Sequence, residues 1–225
     1  MSFKNNCAFF ALLSALLFGS FTTANKKTKL FLPNKKSDWY TFLESTGKDN
    51  DPKKVFTFEK KTLHVSGEEF GYICTTKKYS NFKLTLEFKW GKKRYAPREN
   101  AKRDAGVLYL VDSSSGDKVW PPSIEFQIQE GDCGDFWIIG NATIVHKGKV
   151  TKPEPYHQEV KFKDAERPNG KWNKVEVVVN KGHIRHRLNG ELVNEGSDPS
   201  IKSGEILLQS EGAELYYRNV VIEEF

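Results

Sequence analysis

The residues best suited to chemistry lie in one stretch in the middle of the chain. Residues 123–130 alternate strictly, with Ile124, Phe126 and Ile128 on one side and polar side chains on the other. This period of two predicts a β-strand with one buried face. The polar face carries Glu125 and Gln127, whose carboxylate and amide suit the hydroxyl groups of a sugar. A plain solvated strand face is the competing interpretation.

An acidic, glycine-containing turn follows this strand and leads into a predicted return strand at residues 136–139. Asp132 and Asp135 of the turn are candidates for a second carboxylate, or for oxygen ligands of a divalent cation such as Ca²⁺. Capping of the turn is their alternative role. Glu125 is the first candidate for a catalytic acid or base, or for a metal ligand. The sequence does not fix the ligands of any metal.

Other candidates are spread along the chain. Asp104 and His146 are candidate bases, and imidazole changes its charge near neutral pH. Trp120 and Trp137 are candidates for stacking on a sugar ring, with core packing as the alternative. Arg218 would steady an enolate or carboxylate, or form a structural ion pair.

Short β-runs separated by turn residues fill the rest of the chain, and no helical periodicity of useful length occurs. The predicted strands are 55–58, 62–65, 71–75, 82–90, 105–111, 123–130, 136–139, 142–146, 159–162, 172–180, 183–188, 191–194, 204–209 and 215–222. Asn189-Gly190 predicts a two-residue hairpin turn. Residues 91–104 are a long charged loop, which predicts either disorder or a functional rim. The pattern predicts an all-β sandwich or jelly roll in a single domain.

The N-terminus reads as an export signal. Residues 1–24 combine Lys4, an apolar run over 7–18 and small residues before a cleavage point after Ala24, so we expect a secreted or periplasmic protein without a membrane span in the mature chain. Residues 25–36 form a basic polar lead-in, and residues 37–225 form the domain.

Charge and cysteine content limit the function classes. Six of the 35 Lys and Arg residues precede Asp38, and the remaining 29 balance the 29 Asp and Glu residues. A neutral body with a basic arm does not support nucleic-acid binding, although residues 92–94 and 98–103 form a local basic patch, more simply explained as solvent contact. Cys74 and Cys133 remain after cleavage of the signal, and their spacing leaves a disulfide open.

Several segments together resemble the 3-keto-disaccharide hydrolase family, a bacterial group with a concanavalin A-like jelly-roll fold. The resemblance covers about residues 37–225, and its motifs lie at 104–109, 123–127, 134–137, 172–173, 188–190, 204–212 and 217–220. It implies an exported carbohydrate-active enzyme that cleaves 3-keto-glycosides or 3-keto-disaccharides. The relatives carry His after the glutamine of the late motif. This chain has Gln209, then Ser210 and Glu211, so we expect Glu211 to take that role.

The chemistry implied by this resemblance is base-assisted elimination. A ketone at C3 acidifies the C2 proton, so a base can remove it while a general acid protonates the departing C1 oxygen. Laminarinase-type enzymes of the same fold use two carboxylates on one strand for retaining hydrolysis, but here that strand pairs Glu125 with Gln127. We therefore expect a hydrolase or lyase with catalytic residues Glu125, Asp135, Glu211 and His146. Gln127, Gln209, Arg218, Asp104, Trp137 and Trp120 would bind substrate.

A non-catalytic carbohydrate-binding module on the same fold is the alternative. A catalyst needs at least two ionisable groups that converge in a cleft, whereas a lectin needs only aromatic platforms and amides. Both interpretations require the middle and C-terminal stretches to meet in one hollow, with Glu125 and Gln209 on the same side of the molecule.

Overall fold

The chain, described in a computed structural model over residues 26–30 and 38–225, folds into two antiparallel β-sheets. The ten-stranded sheet consists of β1 (Lys26–Lys29), β4 (Phe56–Glu59), β5 (Thr62–Val65), β7 (Phe82–Arg94), β11 (Val145–His146), β12 (Lys149–Val150), β14 (Asn173–Asn180), β15 (His183–Leu188), β16 (Glu191–Ser197) and β18 (Ala213–Glu224). The eight-stranded sheet consists of β2 (Trp39–Leu43), β3 (Gly47–Lys48), β6 (Gly71–Thr75), β8 (Asp104–Val111), β9 (Ser123–Gln129), β10 (Phe136–Ile139), β13 (Tyr156–Glu159) and β17 (Glu205–Ser210).

Strand order places residues from distant parts of the sequence side by side. The order is β13-β10-β9-β8-β17-β6-β2-β3 in the smaller sheet and β12-β11-β16-β15-β14-β7-β18-β5-β4 in the larger one, where β1 also pairs with β18. The middle stretch supplies β9 and β10, and the C-terminal stretch supplies β17. Both therefore flank β8.

Alternation along the strands decides which side chains are buried between the sheets. Phe126 of β9 and Leu86 of β7 are 0% and 1% exposed and belong to one apolar cluster formed by both sheets. Burial of each such side chain stabilises the fold by roughly 1.5–3 kcal/mol. Since successive strand residues point to opposite faces, Glu125 and Gln127 point away from this core. The polar face of β9 is thus the outer face of the sandwich.

Most predicted strands are present, and the all-β sandwich is confirmed. The alternation at 82–90 corresponds to β7, which continues to Arg94 into the predicted charged loop. Asn189 and Gly190 have φ values of 54° and 93°, as the predicted hairpin turn requires. The prediction at 159–162 is wrong, because the strand is β13 at Tyr156–Glu159.

The polar lead-in contains a strand that the sequence did not indicate. Lys26–Lys29 pairs with the end of β18, with Lys26 opposite Glu224. The predicted signal peptide, residues 1–24, lies outside the described residues.

Cys74 and Cys133 are both buried and unpaired, so the disulfide that the sequence left open is not formed. Cys133 belongs to the central core, whereas Cys74 belongs to a second apolar cluster on the eight-stranded sheet. No helix in the described part of the chain has the length and apolar character needed to cross a bilayer.

Candidate functional site

A cavity of about 470 Å³ lies over the outer face of the eight-stranded sheet. Its floor comes from β8 and β9, and its walls come from β10, β13 and the loops before β8 and β9. It is lined by Arg98, Asp104, Trp120, Glu125, Gln127, Gln129, Trp137, Ile139, Tyr156 and Glu211. Six of the predicted site residues are in this set.

A glycine in β8 lets side chains of the two neighbouring strands, β9 and β17, meet. Gly106 of β8 is opposite Gln127 of β9. A Cβ at this position would lie 1.8 Å from Glu125 Oε1 and 2.4 Å from Gln209 Oε1. The missing side chain therefore lets Glu125 and Gln209 approach each other across β8, and both are buried. The middle and C-terminal stretches share one hollow, as the sequence predicted.

Arg98 joins two acidic residues at one end of the cavity. Its Nη1 contacts Asp104 Oδ2, and its Nη2 lies 2.8 Å from Glu211 Oε1. The loop that carries Arg98 is fixed where the Tyr95 N–H donates to the Gly212 carbonyl at 2.8 Å. The charged insertion is therefore an ordered rim of the site.

Asp104 is held by amides as well as by Arg98. Gln127 Nε2 donates to Asp104 Oδ1 at 3.1 Å, and Gln129 Nε2 donates to Oδ2 at 2.5 Å. Burial raises the pKa of Asp104, although the charge of Arg98 and the hydrogen bond from Gln129 oppose this shift. With its oxygens occupied, Asp104 is better suited to orient Arg98 than to take a proton from a substrate.

Burial shifts the other two carboxyl groups toward their neutral forms. It raises the pKa of Glu125 well above its usual range, and the charges of Glu211 and Asp104 raise it further. Burial, followed by the charge of Asp104, raises the pKa of Glu211 to about 8, against the opposing effects of Arg98 and a hydrogen bond from Trp120. The site thus contains two carboxyl groups able to hold protons near neutral pH.

Three aromatic side chains form a wall beside these acids. Trp137 is opposite Glu125 in the β9–β10 pair. Trp120 packs edge-on against Tyr156, with ring centroids 6.3 Å apart, and Tyr156 is 53% exposed. Partly exposed aromatic rings next to hydrogen-bonding groups are suited to the apolar faces of sugar rings.

Asp135 and His146, both predicted to be catalytic, do not line the cavity. Asp135 accepts hydrogen bonds from Gln158 Nε2 at 2.8 Å and from the Lys161 N–H at 3.0 Å. His146 is on β11 of the other sheet, with Nδ1 2.8 Å from Glu159 Oε2 and Nε2 3.0 Å from Asn194 Oδ1. These contacts give both residues local structural partners.

Arg218 also lies elsewhere. It is on β18 of the ten-stranded sheet, where its Nε and Nη2 donate to Glu87 Oε2 at 2.8 and 2.6 Å. Its guanidinium lies 3.9 Å from the centre of the Trp172 ring. Because its neighbour Tyr217 points into the core, Arg218 points to the outer face of that sheet. Arg218 therefore does not line the cavity over β8 and β9, contrary to the prediction.

The aspartates suggested for a divalent cation have other partners. Asp132 Oδ2 lies 2.6 Å from Lys102 Nζ, and Asp135 is bound as described above. Within residues 26–30 and 38–225, no three His, Cys, Asp or Glu side chains are grouped so that they could hold a metal ion. A role for Ca²⁺ stays a prediction.

Sequence reasoning missed Arg98, Gln129 and Tyr156. Gln129 was visible as the last polar residue of the alternating strand, and extending the Glu125–Gln127 pattern by two residues would have included it. Arg98 was seen only as part of a basic loop, and the sequence contains no sign of its acidic partners. Tyr156 follows a Pro-rich segment without alternation.

A second cavity of about 440 Å³ lies at the edges of the two sheets, beside Trp39 and Phe56. Its two acids are occupied by backbone groups. Asp49 Oδ1 accepts from the Thr41 N–H at 3.0 Å, and Asp51 accepts from the N–H groups of Val55 and Phe56. Because backbone groups already occupy the oxygens of both acids, the cavity over β8 and β9 is the candidate site.

Two packed antiparallel sheets of this kind define a concanavalin A-like jelly-roll β-sandwich. Similar solved structures include a candidate glycosyl hydrolase from Parabacteroides distasonis, with a TM-score of 0.59 and 23% identity over 89% of this chain and 100% of that chain. LamAcat from Zobellia galactanivorans has a TM-score of 0.58 and 10% identity, covering 91% of this chain and 98% of that one. The carbohydrate-binding module CBM66 from Bacillus subtilis has a TM-score of 0.55 and 13% identity, covering 83% and 96%.

Residues 27–223 match the family described as the 3-keto-alpha-glucoside-1,2-lyase-like domain, and the chain belongs to this family. The resemblance noted from the sequence is confirmed. No curated protein sequence matches the chain.

Proposed function

We propose that this protein cleaves glycosidic bonds of 3-keto-glycosides by elimination, in the cavity over β8 and β9. The observation that carries the proposal is the convergence of Asp104, Glu125 and Glu211 on one cavity with a single bridging arginine, Arg98. Burial raises the pKa of all three acids, and Glu125 and Glu211 are the two suited to acid–base catalysis near neutral pH. Membership of the lyase-like family supports the choice of substrate.

The roles follow from the environments of the acids. Glu211, at the rim beside Arg98, is the base that takes the C2 proton, and the electron pair released forms an enolate with the C3 ketone. The enolate then re-forms the ketone and makes a C1–C2 double bond while the C1–O bond breaks. Glu125, whose pKa is raised by burial, gives its proton to the departing oxygen. Addition of water to the double bond would complete net hydrolysis.

Arg98 and the aromatic wall position the substrate in this scheme. Arg98 keeps Asp104 and Glu211 together and offers positive charge near the enolate oxygen. Trp120, Trp137 and Tyr156 pack against the sugar or its leaving group.

The test is turnover of 3-keto and unmodified glycosides in deuterated water. We expect release of the leaving group from keto substrates only, with deuterium incorporated at C2. Glu125→Gln and Glu211→Gln should each lower the rate by about 10²–10⁴-fold, the usual contribution of a general acid or base. Glu87→Gln, on the outer face of the other sheet, is the matched control and should retain full activity. Cleavage without C2 exchange, or cleavage of unmodified glycosides, would contradict the elimination.

A binding module is the second candidate, because the aromatic wall alone would hold a sugar and CBM66 has a similar fold. LamA of Z. galactanivorans, also similar in fold, was solved with laminaritriose and laminaritetraose. Saturable sugar binding without any product, weakened by Trp137→Ala and unaffected by Glu125→Gln, would favour this alternative. In either case we place the protein outside the cytoplasm of a bacterium, on the evidence of the signal-like residues 1–24.

A further inference from the structure

Two side-chain oxygens next to Gly106 have no hydrogen-bond partner among the residues that the structure describes. They are Oε1 of Glu125 and Oε1 of Gln209, both in buried side chains. Both lie close to one point above Gly106, at 1.8 and 2.4 Å from where a Cβ would be. Two acceptor oxygens so close together repel each other, and a buried acceptor without a donor is costly.

A single proton between the two oxygens removes this conflict. An ionised carboxylate only accepts hydrogen bonds, whereas a neutral carboxyl group has one O–H to donate. We infer that Glu125 carries its proton on Oε1 and donates it to Oε1 of Gln209, which makes Gln209 a positioning residue for the acid of this site. This inference rests on the proposed function only in naming Glu125 the acid.

The surroundings of Glu125 favour the neutral form on independent grounds. Among the described residues that line the cavity, Arg98 is the only cation, and both of its terminal nitrogens are engaged by Asp104 and Glu211. Those two acids and burial all raise the pKa of Glu125. Arg98 opposes this shift and lowers the pKa of Glu125, but its terminal nitrogens are held by the other two acids.

A glutamine is well suited to this place because its amide both accepts and donates. With the oxygen toward Glu125, it accepts from the neutral acid. With the amide turned by half a rotation, Nε2 would donate to the ionised form. The two arrangements predict opposite effects when Gln209 is removed, since an acceptor stabilises the neutral acid and a donor stabilises the charged one.

The experiment is an NMR titration of protein labelled with ¹³C at the glutamate carboxyl, with the Glu125 signal assigned from its loss in Glu125→Gln. We expect Glu125 to be protonated at pH 7 in the wild type. In Gln209→Ala its midpoint should fall by at least one pH unit, a tenfold change in the acid constant. Gln129→Ala, which removes a donor to Asp104 instead, is the matched control and should shift the Glu125 midpoint by less than half as much. An ionised Glu125 at pH 7, or a midpoint unchanged or raised in Gln209→Ala, would overturn the inference.

A second variant keeps the test decisive if Gln209→Ala does not fold. Gln209→Glu preserves the size of the side chain and places two carboxyl groups above Gly106, which we expect to share one proton at pH 7. Two ionised carboxylates at pH 7 would refute the shared-proton arrangement. Because the titration needs no substrate, its outcome can be compared with turnover. Turnover with an ionised Glu125 would overturn this inference and the assignment of Glu125 as the acid, but not the cleavage of 3-keto-glycosides. A protonated Glu125 without turnover would overturn only the proposed function.

Discussion

Glu125 and Gln209 belong to strands that do not pair with each other, yet their side-chain oxygens meet over Gly106 of the strand between them. The glycine is required for space and not for backbone conformation, because its φ is not in the left-handed region. Any side chain at this position would occupy the place where the two groups meet. The absence of a side chain at Gly106 therefore allows Glu125 and Gln209 to meet.

Gly106→Ala is expected to damage both stability and activity. Its Cβ would collide with the Glu125 carboxyl and the Gln209 amide, and overpacking of this kind typically costs about 1–3 kcal/mol. Urea unfolding and turnover of a 3-keto-glycoside are the two measurements. Gly196→Ala in β16 is the control, because its nearest neighbours are 3.1 Å away and need to shift only slightly. Full activity in Gly106→Ala would show that Glu125 and Gln209 need not meet.

The rate should depend on pH through Glu211. With the pKa of Glu211 at about 8, the free base is scarce at neutral pH, so kcat/KM is expected to rise with pH up to about 8. It should fall again once Glu125, whose pKa is raised by burial, loses its proton. A pH–rate profile for a 3-keto-glycoside tests this, with Glu87→Gln as the control. A rate that already reaches its plateau near pH 5 would exclude Glu211 as the base.

The raised pKa of Glu211 also predicts how the free energy of unfolding changes with pH. Burial raises the pKa of Glu211 from 4.5 to about 8, so the folded protein holds this proton more tightly than the unfolded chain does. The stabilisation of the folded state by this proton is complete below about pH 4.5 and is lost as the pH rises through about 8. Glu211→Gln cannot titrate, so it should gain stability relative to the wild type between pH 5 and pH 8.5 on urea unfolding. A constant difference across this range would contradict the shift.

A histidine on β13 that bridges two glutamates should respond to pH in a narrower region. His157 of β13 has Nδ1 2.9 Å from Glu154 Oε1 and Nε2 3.1 Å from Glu159 Oε1, and the hydrogen bond to Glu154, followed by that to Glu159, raises the pKa of His157. Glu159 also contacts His146 of the other sheet at 2.8 Å, so the bridge ties β13 to the ten-stranded sheet.

We expect the contacts of His157 with Glu154 and Glu159 to be strong below about pH 6.5, the ordinary pKa of histidine. They should weaken as the pH rises through the raised pKa of His157. Hydrogen exchange of the β13 amides, corrected for intrinsic rates, should be faster at pH 8.5 than at pH 6. His157→Gln should abolish this difference, while His183→Gln, at an exposed position of β15, should leave it intact. Equal protection at both pH values would show that the bridge does not hold β13.

Local pattern predicted the strands that carry their own signal. Alternation at 82–90 and 123–130 and the Asn189-Gly190 turn are properties of consecutive residues, and the structure follows them. Lys26–Lys29 has no such signal, because it becomes a strand only through pairing with β18. The positions of Arg98 and Arg218 depend on which sheet or loop meets which acid, and single-sequence spacing does not contain that information.

The site residues that stand on predicted strands could also be predicted from the sequence, and the others could not. Glu125, Gln127 and Gln209 stand on strands with clear patterns, and their shared face follows from alternation once β8 lies between β9 and β17. The sequence around Asp135 and His146 contains no sign of the side chains that bind them. Their partners, Gln158 and Glu159, are side chains of β13, which the sequence placed three residues too late.

The pairing of Lys26 with Glu224 brings the two ends of the described fold together on the ten-stranded sheet, while the cavity opens from the opposite side of the sandwich. A tether, tag or neighbouring domain joined at either end would therefore extend from the ten-stranded sheet, on the side away from the cavity. Attached to a surface in this way, the protein would present the cavity to the surrounding medium.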